Sequence, residues 1–176
     1  MVIRIPRKAI YIILASVLVI GTLAGLYVLG RVYTPWDGQG RPMLLSPSVW
    51  AAEGYRRTVI DWLGRMERLD AGLEGLLAQA DLSDPASLYR ASDQAQRLAQ
   101  DAVELIREAT FTPPPMALIG LRDLAVAAVE SYGKAAMACA RWVGAPEEKN
   151  RQEAMEALGR AREARQELES SPWIAR

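Results

Sequence analysis

The sequence predicts an all-α protein: an N-terminal transmembrane helix followed by an antiparallel up-down four-helix bundle. Three observations carry this expectation. Residues Ala9 to Gly30 run for 22 positions without a charge. Beyond residue 47, apolar residues recur at three- and four-residue spacing through four long stretches, the period of helix faces that share a core. No stretch alternates apolar and polar residues as a half-buried strand does. Of the 176 residues, a span of about 30 leaves roughly 130 for one domain with a single core.

The first element is "RIPRKAIYIILASVLVIGTLAGLYVLGR", residues 4 to 31. At about 1.5 Å per residue its charge-free run would reach roughly 33 Å, matching a hydrocarbon core of about 30 Å. The run outlasts a secretory h-region and continues past the small residues of "TLAG", so an uncleaved signal anchor is expected. Arg4, Arg7 and Lys8 crowd one flank while Arg31 stands alone near the other, and Tyr11, Tyr27, Tyr33 and Trp36 sit where rings favour headgroups. The expected location is the cell membrane, single-pass: residues 1–8 cytoplasmic, 9–30 in the bilayer, and the remainder extracytoplasmic. Gly21 and Gly25 form a GxxxG pair that would let two membrane helices approach closely, although small residues are common in such helices in any case. The partners this implies are membrane lipid and, through the helix, another membrane protein or a second copy.

Residues 31–46 read as a Pro/Gly-rich tether. "TPWDGQGRPMLLSP", 34 to 47, holds three prolines and two glycines, which no helix can run through. Ser46 and Pro47 then supply a cap and a first-turn proline for the domain 47–176.

Its first helix, 48 to about 80, carries Ala52, Tyr55, Val59, Trp62, Met66, Leu69, Leu73, Leu76 and Ala80 in an unbroken heptad seam. Asp84 and Pro85 open the second, with the seam Leu88, Ala91, Ala95, Leu98, Ala102, Leu105 and Ala109. Its alanines require a neighbouring helix to come close, or large side chains from it to fill the space. "TFTPPPM" breaks the pattern, and Pro115 can start the third helix, over 115 to 143. That helix has the most apolar seam (Leu118, Leu121, Ala125, Ala128, Tyr132, Ala135, Cys139, Trp142) and is expected to be the most buried. Gly144 ends it. Pro146, Glu147 and Glu148 start a charged last helix with a thin seam from Ala154 to Leu168.

Up-down topology would return the second turn and the C-terminus to one end of the bundle. Trp36, Phe111, Trp173 and Ile174 would meet there, either sealing the bundle end or forming a docking end. Trp62, Tyr132 and Trp142 could line an apolar pocket between helices, or fill the core against alanine-rich neighbours.

Chemistry is sparse. There is no histidine, which removes the commonest general base and most zinc, haem and di-iron sites. The single Cys139 lies on an apolar seam, where a thiol usually packs as a small hydrophobe. Carboxylates of the last helix alternate with arginines, and no phosphate-cradling loop or cation loop occurs. Beyond residue 46 there are 16 cations against 20 acids, so the domain is mildly acidic and nucleic acid is not an expected partner. No cofactor and no metal are expected.

The layout of a short N-terminus, one anchor and a helical domain whose "TPPP" corner precedes "LxxLxxxA" resembles uncharacterised bacterial single-pass membrane proteins with an exported helical bundle. The resemblance implies architecture and carries no functional residues. The function expected is non-enzymatic: a membrane-anchored extracytoplasmic bundle acting in protein interaction, as accessory or assembly subunit of a membrane complex. The alternative is an extracytoplasmic ligand-sensing bundle that signals through a membrane partner.

Overall fold

Among the described residues every regular element is a helix. The computed structural model describes residues 7–33, 47–78 and 84–175, with side chains for 16–30, 48–78 and 84–175. In order they form α1 (Arg7–Tyr33), α2 (Pro47–Leu77), α3 (Pro85–Phe111), a 3₁₀ turn (Met116–Leu118), α4 (Ile119–Gly144) and α5 (Glu148–Glu169). Among the described residues there is no strand, so the fold class is all-α. The chain divides into two units, Met1–Pro47 and Ser48–Arg176.

In the first unit, α1 is continuous over 27 residues, and its side chains from 16 to 30 are all exposed. The expected location is corrected here. Among the described residues no helix is long and apolar enough to cross a membrane. The single-pass placement with a cytoplasmic N-terminus and an extracytoplasmic bundle therefore does not stand, nor does the signal anchor on which it rested. Of the expected tether 31–46, residues 31–33 belong to the end of α1 and 34–46 lie outside the described residues.

The second unit has one core. From α2 it takes Tyr55, Val59, Trp62, Met66, Leu69, Leu73 and Leu76, all at 3-4 spacing and all buried; Ala52 is half-buried and Ala80 lies outside the described residues. Helix α3 contributes Ala91, Ala95, Ala102, Leu105 and Ala109. Leu88, on the same seam, is exposed because the core begins one turn later. Helix α4 is the most enclosed, burying Leu121, Val129, Tyr132, Cys139, Trp142 and Val143 among others, while Asp123, Glu130, Lys134 and Arg141 face water. From α5 come Ala154, Ala157, Leu158, Ala161 and Leu168.

Close approach depends on two glycines. A Cβ at Gly72 of α2 would lie 2.6 Å from Leu98 Cδ2 of α3, and one at Gly133 of α4 would lie 2.5 Å from Ile106 Cδ1 of α3. Both leucine-sized side chains therefore rest against bare helix backbone. Helix α4 packs extensively on α3 and on α5. Helix α2 reaches all three neighbours: Trp62 to Glu108 of α3, Asp70 to Tyr132 of α4, and Leu77 to Arg151 of α5.

Local chemistry explains the joints. Asp84 caps α3, its carboxylate accepting from the Ser87 amide at 3.0 Å, and Pro85 occupies the first turn. Thr112 closes that helix: its amide (3.0 Å) and its hydroxyl (2.7 Å) both donate to the Glu108 carbonyl, before the extended backbone that Pro113 demands. Contrary to the sequence expectation, Pro115 does not begin an α-helix. Its carbonyl accepts from the Leu118 amide at 2.8 Å in a 3₁₀ turn, and α4 starts only at Ile119. Leu118, at φ −118° and ψ 20°, departs from helical geometry while its side chain is buried in the core. Gly144 is the last residue of α4, and the Asn150 side-chain Nδ2 donates to the Ala145 carbonyl at 2.8 Å across the turn into α5.

Candidate functional site

The residues singled out from the sequence fall into separate places. Trp62, Tyr132 and Trp142 are all buried. The Trp62 ring meets Tyr55 edge to face, with centroids 6.0 Å apart. Its indole N–H donates to Glu108 Oε1 at 3.2 Å, and the Tyr132 hydroxyl donates to Asp70 Oδ1 at 3.2 Å. Phe111 and Trp173 are exposed, Ile174 packs partly against the core, and Trp36 lies outside the described residues. Gly21 and Gly25 stand on α1 with nothing within 4 Å of where a Cβ would sit, so no described residue packs on the pair.

Two polar clusters were not anticipated. In the first, Asp70 of α2 receives Arg162 Nε and Nη2 of α5 on its two oxygens, both at 2.9 Å, together with the Tyr132 hydroxyl of α4. Arg162 Nη2 also reaches Glu74 at 2.9 Å. The Asp70 side chain is only 14% exposed. Its burial favours the neutral acid, but the hydrogen bonds and charge of Arg162, the Tyr132 hydroxyl and the charge of Arg165 outweigh that and hold its carboxyl below the ordinary value. Burial and the Asp70 carboxylate push the Tyr132 hydroxyl upward, and the hydrogen bond to Asp70 raises Arg162. The cluster is a three-helix lock with each charge committed to a partner.

The second cluster surrounds Glu108 of α3. The Trp62 indole and the Arg65 guanidinium both donate to it, and these contacts, the indole first, lower its carboxyl. Beside it a cleft of about 260 Å³ opens between α2 and α3, lined by Arg65, Arg68, Leu69, Leu98, Asp101 and Leu105. Sequence reading missed both clusters. Asp70 follows seam residue Leu69 and Arg162 follows seam residue Ala161, so a charge directly beside a seam was the available signal.

A third feature is apolar. From the last residue of α3 onward the chain exposes Phe111 (79%), Met116 (88%) and Ile119 (45%) within nine residues. The sequence pointed to Phe111; Met116 and Ile119 join it because the 3₁₀ turn spends Leu118 on the core and turns its neighbours outward. The buried hydroxyls of Tyr55 and Ser171 have no hydrogen-bond partner among the described residues.

Cys139 is buried, and desolvation pushes its thiol up to about 11. Among the described residues no three His, Cys, Asp or Glu side chains converge in a way that could hold a metal ion. No family model, curated protein or solved structure matches the chain.

Proposed function

We propose that residues 48–175 form an antiparallel up-down four-helix bundle that works as a protein-interaction module, a non-enzymatic accessory or assembly subunit of a larger complex. The observation that carries this reading is the exposed corner of Phe111, Met116 and Ile119. The core behind it is already filled by Leu118 and Leu121, so these side chains add nothing to folding that the core lacks. Aromatic and Met side chains left outside a complete core are the type enriched where proteins meet.

Cross-helix contacts support the antiparallel order. Trp62 at the midpoint of α2 pairs with Glu108 near the end of α3, while Gly72 further along α2 lies against Leu98 further back on α3; Leu77, the last residue of α2, meets Arg151 near the start of α5; Arg141 near the end of α4 meets Glu153 in the first half of α5. In that order the corner, the first turns of α2 and Trp173 belong to one end, together with the unpartnered hydroxyls of Tyr55 and Ser171. The non-enzymatic part rests on how the reactive groups are used: Cys139 is held as a neutral thiol, and the carboxylates of Asp70 and Glu108 are occupied by arginines.

The test is site-specific photocrosslinking of the full chain in its own cells, with the probe at Phe111 or Met116 and a control at Glu130. A single recurrent adduct from the corner, lost in Phe111→Ser/Met116→Ser at unchanged thermal stability, is the expected result. Adducts no more specific than those from Glu130 would sink the proposal.

A further inference from the structure

We infer that the α2–α3 cleft is a binding site for a small zwitterion with an apolar side chain, the chemistry of an apolar α-amino acid. The inference is independent of the docking corner, which lies on other residues. Helical spacing places Arg65, Arg68 and Leu69 along one side of the cleft on α2, and Leu98, Asp101 and Leu105 along the other on α3. Gly72 draws the two helices together where Leu98 rests on bare backbone, and the cleft lies on the Arg65–Leu69 side of that contact.

The floor is apolar. Leu69 and Leu105 are buried in the core, and Leu98 is half-buried against it. The rim is charged, and its charges differ in how they are used. Arg65 is committed to Glu108. Arg68 and Asp101 are of opposite sign and line the same cleft, yet neither forms an ion pair or hydrogen bond with any described residue. One uncommitted cation and one uncommitted anion therefore flank an apolar floor.

Charge and size together select the ligand. A simple anion would satisfy Arg68 but face Asp101, and a simple cation would satisfy Asp101 but face two arginines. A zwitterion satisfies both: its carboxylate matches the planar donor fork of Arg68, and its ammonium matches the Asp101 carboxylate. An apolar side chain then covers Leu98 and its neighbours. The volume of about 260 Å³ is below the range of about 300 to 1,000 Å³ typical of drug-sized pockets, which limits the occupant to something the size of one amino acid.

The experiment is isothermal titration calorimetry on the full chain with L-leucine and L-phenylalanine. Comparison ligands are 4-methylpentanoate, which lacks the ammonium; isoamylamine, which lacks the carboxylate; and glycine, which lacks the apolar side chain. Saturable binding of either apolar amino acid is expected, at least about tenfold weaker for each comparison ligand and in Arg68→Gln and Asp101→Asn. Those variants should unfold at the same temperature as the parent, which separates lost binding from lost folding. The inference is overturned by the absence of saturable binding up to about 10 mM, or by binding indifferent to both variants. It is equally overturned if a double-mutant cycle shows Arg68 and Asp101 stabilising each other in the free protein, since they would then close the cleft themselves.

Discussion

Replacing Arg162 by Met would cut the charged tie between α5 and Asp70 of α2 while keeping most of the aliphatic stem that covers the seam. Arg162 makes two bonds of 2.9 Å to Asp70 and one to Glu74. Glu74 is 65% exposed, so water replaces that bond at little cost. Asp70, by contrast, would keep only the Tyr132 hydroxyl at 3.2 Å and the charge of Arg165. Hydrogen bonds to a charged group contribute about 1.5–3 kcal/mol, and stranding a fully buried charge costs about 3–5 kcal/mol. The Arg162 side chain is 42% exposed, so solvent takes up part of this, leaving an expected loss of about 2 kcal/mol at neutral pH. The sign with pH follows from the Asp70 carboxyl, which lies below its ordinary value in the folded chain. Its contribution is present above the unfolded value of 3.8 and is lost as pH falls through the lower folded value. Urea unfolding followed by far-UV circular dichroism, at pH 7 and at about pH 2.5, should show the variant penalty shrink in acid. A neutral-pH loss below about 0.5 kcal/mol, or an equal loss at both pH values, would refute the assignment of Asp70 as a held charge.

Two further predictions concern the interior. Burial raises the Cys139 thiol from 9.0 to about 11, so the unfolded chain ionises first; its stabilising contribution is complete below about pH 9 and is lost as pH rises toward 11. Cys139→Ala should flatten the alkaline loss of stability in urea titrations across that window. Gly75→Ala should stabilise α2 by about 0.5–1 kcal/mol, since a Cβ there meets nothing within 4 Å. Gly72→Ala, three residues earlier on the same helix, must displace Leu98 and should cost about 1–2 kcal/mol in the same melts.

The seams of all four helices of the second unit were legible because burial there follows the 3-4 period with few exceptions. The Asp84–Pro85 start of α3 was legible because capping is local chemistry. The Asp70–Arg162 lock joins residues 92 positions apart, and no period or motif links such a pair. The α2–α3 cleft depends on how closely Gly72 admits Leu98, which is set by packing rather than by either residue alone. At the corner, Pro115 satisfied a rule for helix starts, but with three consecutive residues lacking N–H groups and Leu118 drawn into the core, a 3₁₀ turn came first. The reading of location rested on composition alone, a charge-free run of 22 residues, and among the described residues no helix is long and apolar enough to cross a membrane.

The buried face of α3 is four alanines and one leucine. Alanine lets backbones come close, yet each removes little apolar area from water, so lifting α3 away exposes far less than lifting α4 with its Leu, Val, Tyr and Trp side chains. Partial detachment of α3 is therefore expected before global opening, so amides of α3 should exchange with solvent ahead of those of α4. Because Leu98, Asp101 and Leu105 ride on α3, whatever fills the cleft beside them would slow that detachment, and occupancy would be readable as added protection of a single helix.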